Sequence, residues 1–359
     1  MKYQNWLSWI YEISNIKKNK LFQMGISAEE LYYTSKDILS KIDFLTEKDV
    51  ERIILSKSEY DIDRIWEDLN YKGIKLVTIE QNTFPGKLRN IENCPYGLYY
   101  IGKLPDENEK IIAMVGARNR SAYGQEIANK IAYELGRNGF SVISGLARGI
   151  DSDSHKGVMD AKAKTYAVLG SGVDVCYPAQ NKFLYDRVLE NGAIISENRP
   201  GTRPQSIFFP LRNRIISGLC DALILVEAKT KSGSLISADY AMEQGKDVYV
   251  VPGRITDELS SGCNRLIGQG AHIVSSIEDL FEQLDVSTYN NCVQLDFRKN
   301  LLEKDEALVY SLLDFRPIGI SNIMDEINVE LSKLLVILEN LQNKGFVREI
   351  VPNYFVKVL

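Results

Sequence analysis

The chain has 359 residues, 45% hydrophobic and 25% charged, with a net charge of -5. This is ordinary globular composition at a length that exceeds one core, so two or three domains are expected. The acidic balance excludes a protein that coats nucleic acid through overall basic charge, no apolar run approaches the ~20 residues of a membrane span, and five scattered cysteines without a C-x-x-C support neither a disulfide framework nor a zinc site. A cytoplasmic protein without membrane contact, metal or cofactor is the expectation, and any nucleic-acid site in it has to be local.

Residues 1–70 carry helical patterning with polar punctuation (SAEELYYTSKDILSKIDFLTEKDVERIIL), which predicts a small module of short helices. From 71 to 285 the dominant pattern is short β-branched apolar runs alternating with helical stretches: KIIAMVG, FSVISG, KTYAVLG, GAIIS, ALILVEA, DVYVVPG and AHIVSS. Continuous apolar runs of this kind are strands buried on both faces, so the prediction is an α/β, Rossmann-like domain with a mostly parallel sheet. The helix after the first strand, Tyr123 to Asn138, places Ile127, Ile131 and Leu135 on one face and stops at Gly139. Residues 286–302 read as a linker. From 303 to 359, helices at about 304–313, 319–326 and 329–343 followed by two alternating strands around Pro352-Asn353 predict a winged helix, although its recognition segment, NVELSKLLVILENLQNK, is apolar and acidic where DNA readers place Arg and Asn.

Chemistry concentrates at strand ends. The first strand of the α/β run closes on Val115-Gly116-Ala117-Arg118, where backbone N–H groups, a helix N-terminus and a guanidinium can meet an anion. The second closes on Ser144-Gly145-Leu146-Ala147-Arg148-Gly149, and two neighbouring strands ending in this way form one crevice. Neither a G-x-G-x-x-G nor a Walker sequence is present, and either turn alone is equally well a plain strand-to-helix connection. Asp151, Asp153 and His155 spell D-x-D-x-H, but on a helix Asp153 points away from the other two, so capping by Asp151 and a packed His155 are expected rather than a metal site. The segment 196–219 holds Arg199, Arg203, Arg212 and Arg214 against Glu197, a local net of +3, with Phe208 and Phe209 beside the arginines. That is a base-stacking surface next to phosphate donors, as single strands require. No Ser/His/Asp set, acid pair or Cys–His nucleophile can be assembled, so a binding module rather than an enzyme is expected.

Taken in order, VGAR followed by YG, SGLARGID, LGSGVDVCYP, SENRPGT, FPLRNRIISGL, VEA with SGS, VPG and GCNRLIGQGA resemble the signature set of the DprA/Smf family over about 85–285. The resemblance implies a homodimeric protein that binds single-stranded DNA in a positively charged pocket and loads the RecA recombinase onto it, chiefly in natural transformation. It also implies that the N-terminal module is SAM-like. Carried over by residue, it assigns DNA contact to Gly116 and Arg118, to Ser144, Gly145 and Gly149, and to Arg212, Asn213 and Arg214; the aromatic beside those arginines that is expected to stack, from the reading of the residues themselves, is Phe209. Many relatives have a basic residue at the position of Leu211, so either affinity is weaker here or Arg203 supplies that charge. The alternative is a nucleotide enzyme resembling the lysine-decarboxylase-like phosphoribohydrolases, whose P-G-G-x-G-T pattern is echoed here only by Val251-Pro252-Gly253, with Glu227 as its acid.

Overall fold

The computed structural model describes residues 1–286, 302–314, 316–327 and 329–358; the expected linker thus falls almost wholly outside the described residues. Nine strands form one sheet: β1 (Lys75–Thr78), β2 (Gly97–Gly102), β3 (Ile111–Val115), β4 (Ser141–Ser144), β5 (Thr165–Val168), β6 (Ala193–Ser196), β7 (Ala222–Leu225), β8 (Asp247–Val250) and β9 (His272–Ile273). Their order is β1-β2-β6-β5-β4-β3-β7-β8-β9. All seven predicted strands are present and pair in parallel, whereas β1 and β2 add an antiparallel edge that their sequences, KLVT and GLYYIG, did not announce. Chain order runs outward from β3 through β4, β5 and β6, then returns to β7 on the other side of β3, so the strand order reverses between β3 and β7. Open α/β sheets bind ligands outside the carboxyl ends of the strands at such a reversal.

Both faces are covered. Along β3, Ile111, Ala113 and Val115 enter one core while Ile112 and Met114 enter the other, the period of two that a pleated strand imposes. Helices α1 (Lys2–Trp9), α2 (Asn15–Gln23), α3 (Ala28–Tyr33), α4 (Lys36–Leu39), α5 (Glu47–Glu59) and α6 (Ile62–Tyr71) realise the helical pattern of the first 70 residues. Capping boxes start α3 at Ser27/Glu30 and α5 at Thr46/Asp49. These helices do not bury their apolar stripes on one another alone: Trp6, Ile10, Leu31 and Ile53 share one core with Leu98, Ile195 and Ile215 of the α/β unit.

The α/β helices are α7 (Ala122–Arg137), α8 (Ile150–Asp160), α9 (Lys182–Asn191), α10 (Phe208–Leu219), α11 (Gly233–Glu243), α12 (Ser261–Gly268) and α13 (Ile277–Gln283). Residues of α7, α8 and α13 pack on one face, those of α10, α11 and α12 on the face that also receives the N-terminal helices. The Ser121 hydroxyl caps α7 by accepting from the Gly124 N–H at 2.9 Å, and Gly139, at φ +82°, ends it as expected.

The tail forms a core of its own. Helices α14 (Lys304–Leu312), α15 (Ile320–Ile327) and α16 (Leu331–Asn343) close on Val309, Ile323, Leu338 and Phe355, with β10 (Ile318–Gly319), β11 (Val347–Val351) and β12 (Tyr354–Lys357) in an antiparallel sheet. No helix among the described residues is long and apolar enough to cross a membrane.

Candidate functional site

A cleft of about 660 Å³ opens at the strand reversal. Gly116, Ala117 and Arg118 from the end of β3 form one wall, Phe209, Pro210, Arg212 and Asn213 of α10 a second, and Lys229, Lys231 and Ser232 before α11 a third. Arg118, Arg212, Lys229 and Lys231 bring positive charge to this lining, and Asp151 is its one acid among the described residues. The acidic chain therefore presents a locally basic cleft. The Arg118 guanidinium lies over the Phe209 ring at 5.5 Å, and the Tyr177 ring centre is 5.6 Å from the same ring. Arg118 is exposed, Lys231 makes no ion pair among the described residues, and Lys229 pairs with Glu258 at 2.7 Å in an exposed contact that competes little with a ligand.

The glycines set how closely the backbone segments approach. A Cβ on Gly116 would fall 2.6 Å from Ile150, and one on Gly149 would fall 2.2 Å from the Ala117 carbonyl oxygen. Gly149, at φ +79°, also holds a conformation that side chains disfavour, so the β4–α8 turn is pressed against the β3 loop. A Cβ on Gly145 would lie 2.5 Å from the Arg212 guanidinium, which donates to the Gly145 carbonyl at 3.0 Å and to the Val168 carbonyl. Arg212 is thus seated in the floor, with its Nε donating to Asn213 Oδ1 at 3.2 Å. Burial pulls its pKa down to about 10, against the upward pull of the Asp151 carboxylate. Asp151 accepts from the N–H groups of Gly145 and Ala147 at 3.1 and 3.3 Å; burial raises its pKa, and the Arg212 charge and those two donors oppose the rise.

The predicted residues divide. Gly116, Arg118, Phe209, Arg212 and Asn213 meet at the cleft, while Gly145 and Gly149 shape it from behind. Three others lie elsewhere. Ser144 is fully buried and its hydroxyl donates to the Met114 carbonyl at 2.6 Å. Arg203 is exposed but does not line the cleft. Arg214 turns to the opposite side of α10, where one of its nitrogens bridges both oxygens of Glu197 at 2.6 Å. The reason is helical: Arg212 and Arg214 are about 200° apart around the axis. Sequence reasoning missed Tyr177, Lys229 and Lys231; for the lysines the signal was K-T-K standing directly before Ser232-Gly233-Ser234. The D-x-D-x-H triplet does not converge. Asp151 braces the preceding loop rather than capping the helix end, Asp153 pairs with Arg120 at 2.7 Å, and His155 is buried against Thr165 at 2.7 Å. Glu227, the acid of the enzymatic alternative, does not line the cleft and accepts from Ser121 N–H at 2.9 Å and its hydroxyl at 2.5 Å.

Residues 75–285 match the family model described as DNA recombination-mediator protein A. The chain belongs to the DNA recombination-mediator protein A family. A relative in this family, the DNA processing protein DprA of Bacillus subtilis, is 41% identical over 214 residues, which is 59% of this chain and 72% of the relative. The X-ray structure of DprA from Streptococcus pneumoniae superposes with a TM-score of 0.71 at 32% identity, covering 79% of this chain and 97% of that one. DNA processing protein A from Helicobacter pylori, whose structure is described as revealing a unique single-stranded DNA binding mode, gives 0.53 at 28% identity over 58% of this chain and 95% of that one. The large, mostly parallel sheet is therefore the family's fold, and the cleft lies within the matched segment.

Proposed function

We propose that the cleft binds single-stranded DNA and that this family member acts as a binding module rather than an enzyme. The observation that carries the reading is Arg118 over Phe209 at 5.5 Å, beside Tyr177 and a pair of lysines. An aromatic face offered next to cations captures a base and its phosphate together, and a base exposes its face only when the strand is unpaired. The single-strand binding described for the Helicobacter pylori relative supports the same reading.

In this assignment Arg118, Lys229 and Lys231 neutralise phosphates, Phe209 stacks, Asn213 and the Gly116 backbone approach the ligand, and Arg212 holds the floor in shape. Arg203 lies outside the wall and serves, if the strand continues past Pro204, as an outer phosphate contact. Arg214 and Ser144 are kept out of this cleft by their internal partners. The family resemblance extends the proposal to a homodimer that hands the strand to RecA, chiefly in natural transformation, with residues 1–70 as a SAM-like module, 71–285 as the binding domain and 303–359 as a winged helix.

The test is fluorescence anisotropy with labelled oligo-dT and an equal-length duplex, at low and near-physiological salt, on wild type and on Lys229→Ala/Lys231→Ala. Tight, salt-sensitive, single-strand-selective binding that the double variant weakens is the expected result. Absence of binding by wild type would overturn the reading. Recombinase loading is then tested by whether the protein speeds RecA filament formation on protected single strands.

A further inference from the structure

A second cavity, of about 420 Å³, lies on the other side of α10, between that helix and the N-terminal helices. Arg212 lines both cavities, so the first turns of α10 form the wall between them: Phe209 and Asn213 face the cleft, Phe208 and Leu211 the second cavity. Its volume is within the range of small-molecule sites, about 300–1,000 Å³.

Three cations, Lys18, Arg212 and Arg214, line this cavity against one carboxylate, Glu197, among the described residues. Lys18 of α2 is 4% exposed, and its ammonium makes no hydrogen bond among the described residues; the Tyr96 ring lies 5.9 Å away, and Glu197 and Glu12 act on it through their charge alone. Arg214 is 3% exposed, and its Nε and Nη1 are buried without a partner among the described residues. The Asn198 side-chain amide, on a residue 8% exposed, likewise has no hydrogen bond among the described residues. The carboxylate shared by the two cations, Glu197, is already committed to Arg214 Nη2 through both oxygens and to the Asn15 amide at 2.6 Å. Buried cations of this kind are costly unless a counter-charge completes them. Burial pulls the Lys18 pKa down to about 8 while Glu197 and Glu12 pull it back up, so the ammonium stays charged at neutral pH and keeps its demand for an anion.

We propose that this cavity is an anion site that takes a phosphate group, bound by Lys18, the free edge of Arg214 and the Asn198 amide. Phe208 and the partly exposed Tyr11 at the lining give an attached base or sugar an apolar surface, which points to a nucleoside monophosphate unit rather than bare phosphate. The unit comes either from a free nucleotide or from the end of a DNA strand. Because α2 and α10 supply opposite walls, occupancy ties the N-terminal helices to the α/β unit. The proposal does not depend on the cleft binding DNA.

The experiment is isothermal titration calorimetry of dTMP and of inorganic phosphate into the full chain, repeated on Lys18→Met and Asn198→Leu, with Arg118→Ala as the cleft control. Binding of dTMP is expected in wild type and in Arg118→Ala, weaker by about tenfold or more in the other two, the loss of one hydrogen bond to a charged group. Thermal melts confirm that Lys18→Met and Asn198→Leu remain folded. If the two variants leave oligo-dT binding intact, the source is the free nucleotide; if they also weaken a 5′-phosphorylated oligo-dT but not its unphosphorylated twin, it is the strand end. Failure of both dTMP and phosphorylated oligonucleotide to distinguish wild type from Lys18→Met and Asn198→Leu overturns the proposal, while the response of Arg118→Ala to oligo-dT reports on the cleft separately.

Discussion

Arg118 and Phe209 touch, yet salt separates their contributions to binding. A guanidinium acts on DNA by releasing counterions, so Arg118→Ala is expected to weaken oligo-dT binding and to flatten the plot of log affinity against log salt by about 0.7, the value for one phosphate on a single strand. Phe209→Ala removes a stacking face instead, at roughly 1–3 kcal/mol, and should leave the slope unchanged. Anisotropy titrations over a salt series check both, and equal slopes in wild type and Arg118→Ala would remove that residue from the site. His155 makes a different kind of prediction. Thr165 Oγ1 donates to the Val142 carbonyl at 2.9 Å, so it accepts from the His155 Nδ1–H, leaving Nε2 buried without a partner among the described residues. Burial pulls the imidazole pKa down to about 3, and the nearby Arg212 charge adds to the effect. The unfolded chain therefore binds a proton that the folded chain refuses, from the ordinary value near 6.5 downward, and stability falls as pH drops through that window. The loss amounts to roughly 2 kcal/mol by about pH 5. Urea melts at neutral and mildly acid pH should show this decline reduced in His155→Phe; an undiminished decline would assign it to other groups.

Helix α10 shows why a charged motif is not the same as a charged surface. Arg212 lies in the floor of the cleft, holding two carbonyls and supplying the positive charge that most favours the ionised form of the buried Asp151. Arg212→Ala should therefore cost roughly 3 kcal/mol of stability, visible as a lower urea midpoint at unchanged slope, with Arg212→Lys recovering only part because an ammonium lacks the planar fork. A variant that melts like wild type but loses DNA would instead make Arg212 a ligand contact. The run F-P-L-R-N-R was legible as basic and aromatic from sequence; what went unread was its helical phase, the same argument that correctly kept Asp153 apart from Asp151 and His155. The seven parallel strands were legible because burial on both faces leaves continuous apolar runs such as IIAMV and ALIL. The edge strands β1 and β2 were not, since KLVT is too short to show a period and GLYYIG begins and ends on glycine. Lys229 and Lys231 join Arg118 only because the strand order reverses at β3, a fact of topology that no local pattern carries.

For the molecule as a whole, the question is how many parts unfold and bind independently. One core runs from Trp6 through Ile215 to Leu266, so residues 1–286 should melt in a single transition although the sequence reads as two segments there. A helical pattern reports which face is apolar but not what covers it, which is why the helices of the first 70 residues gave no sign that they complete the sheet's core. The tail is different: Val309, Leu338 and Phe355 belong to a cluster that shares no residue with the others. Truncation after residue 286 is therefore expected to leave the main calorimetric transition in place and oligo-dT affinity within about twofold, some 0.4 kcal/mol, because every wall of the cleft is retained. If the truncated protein folds with the same midpoint but binds no oligo-dT, the strand is held by the tail, and the chain would be an adaptor whose basic cleft serves some other anion. If it instead loses its main transition, the tail supports the α/β unit through contacts beyond its own core. Calorimetry and anisotropy on one preparation separate the three outcomes, and the expected one assigns strand capture to residues 1–286 alone.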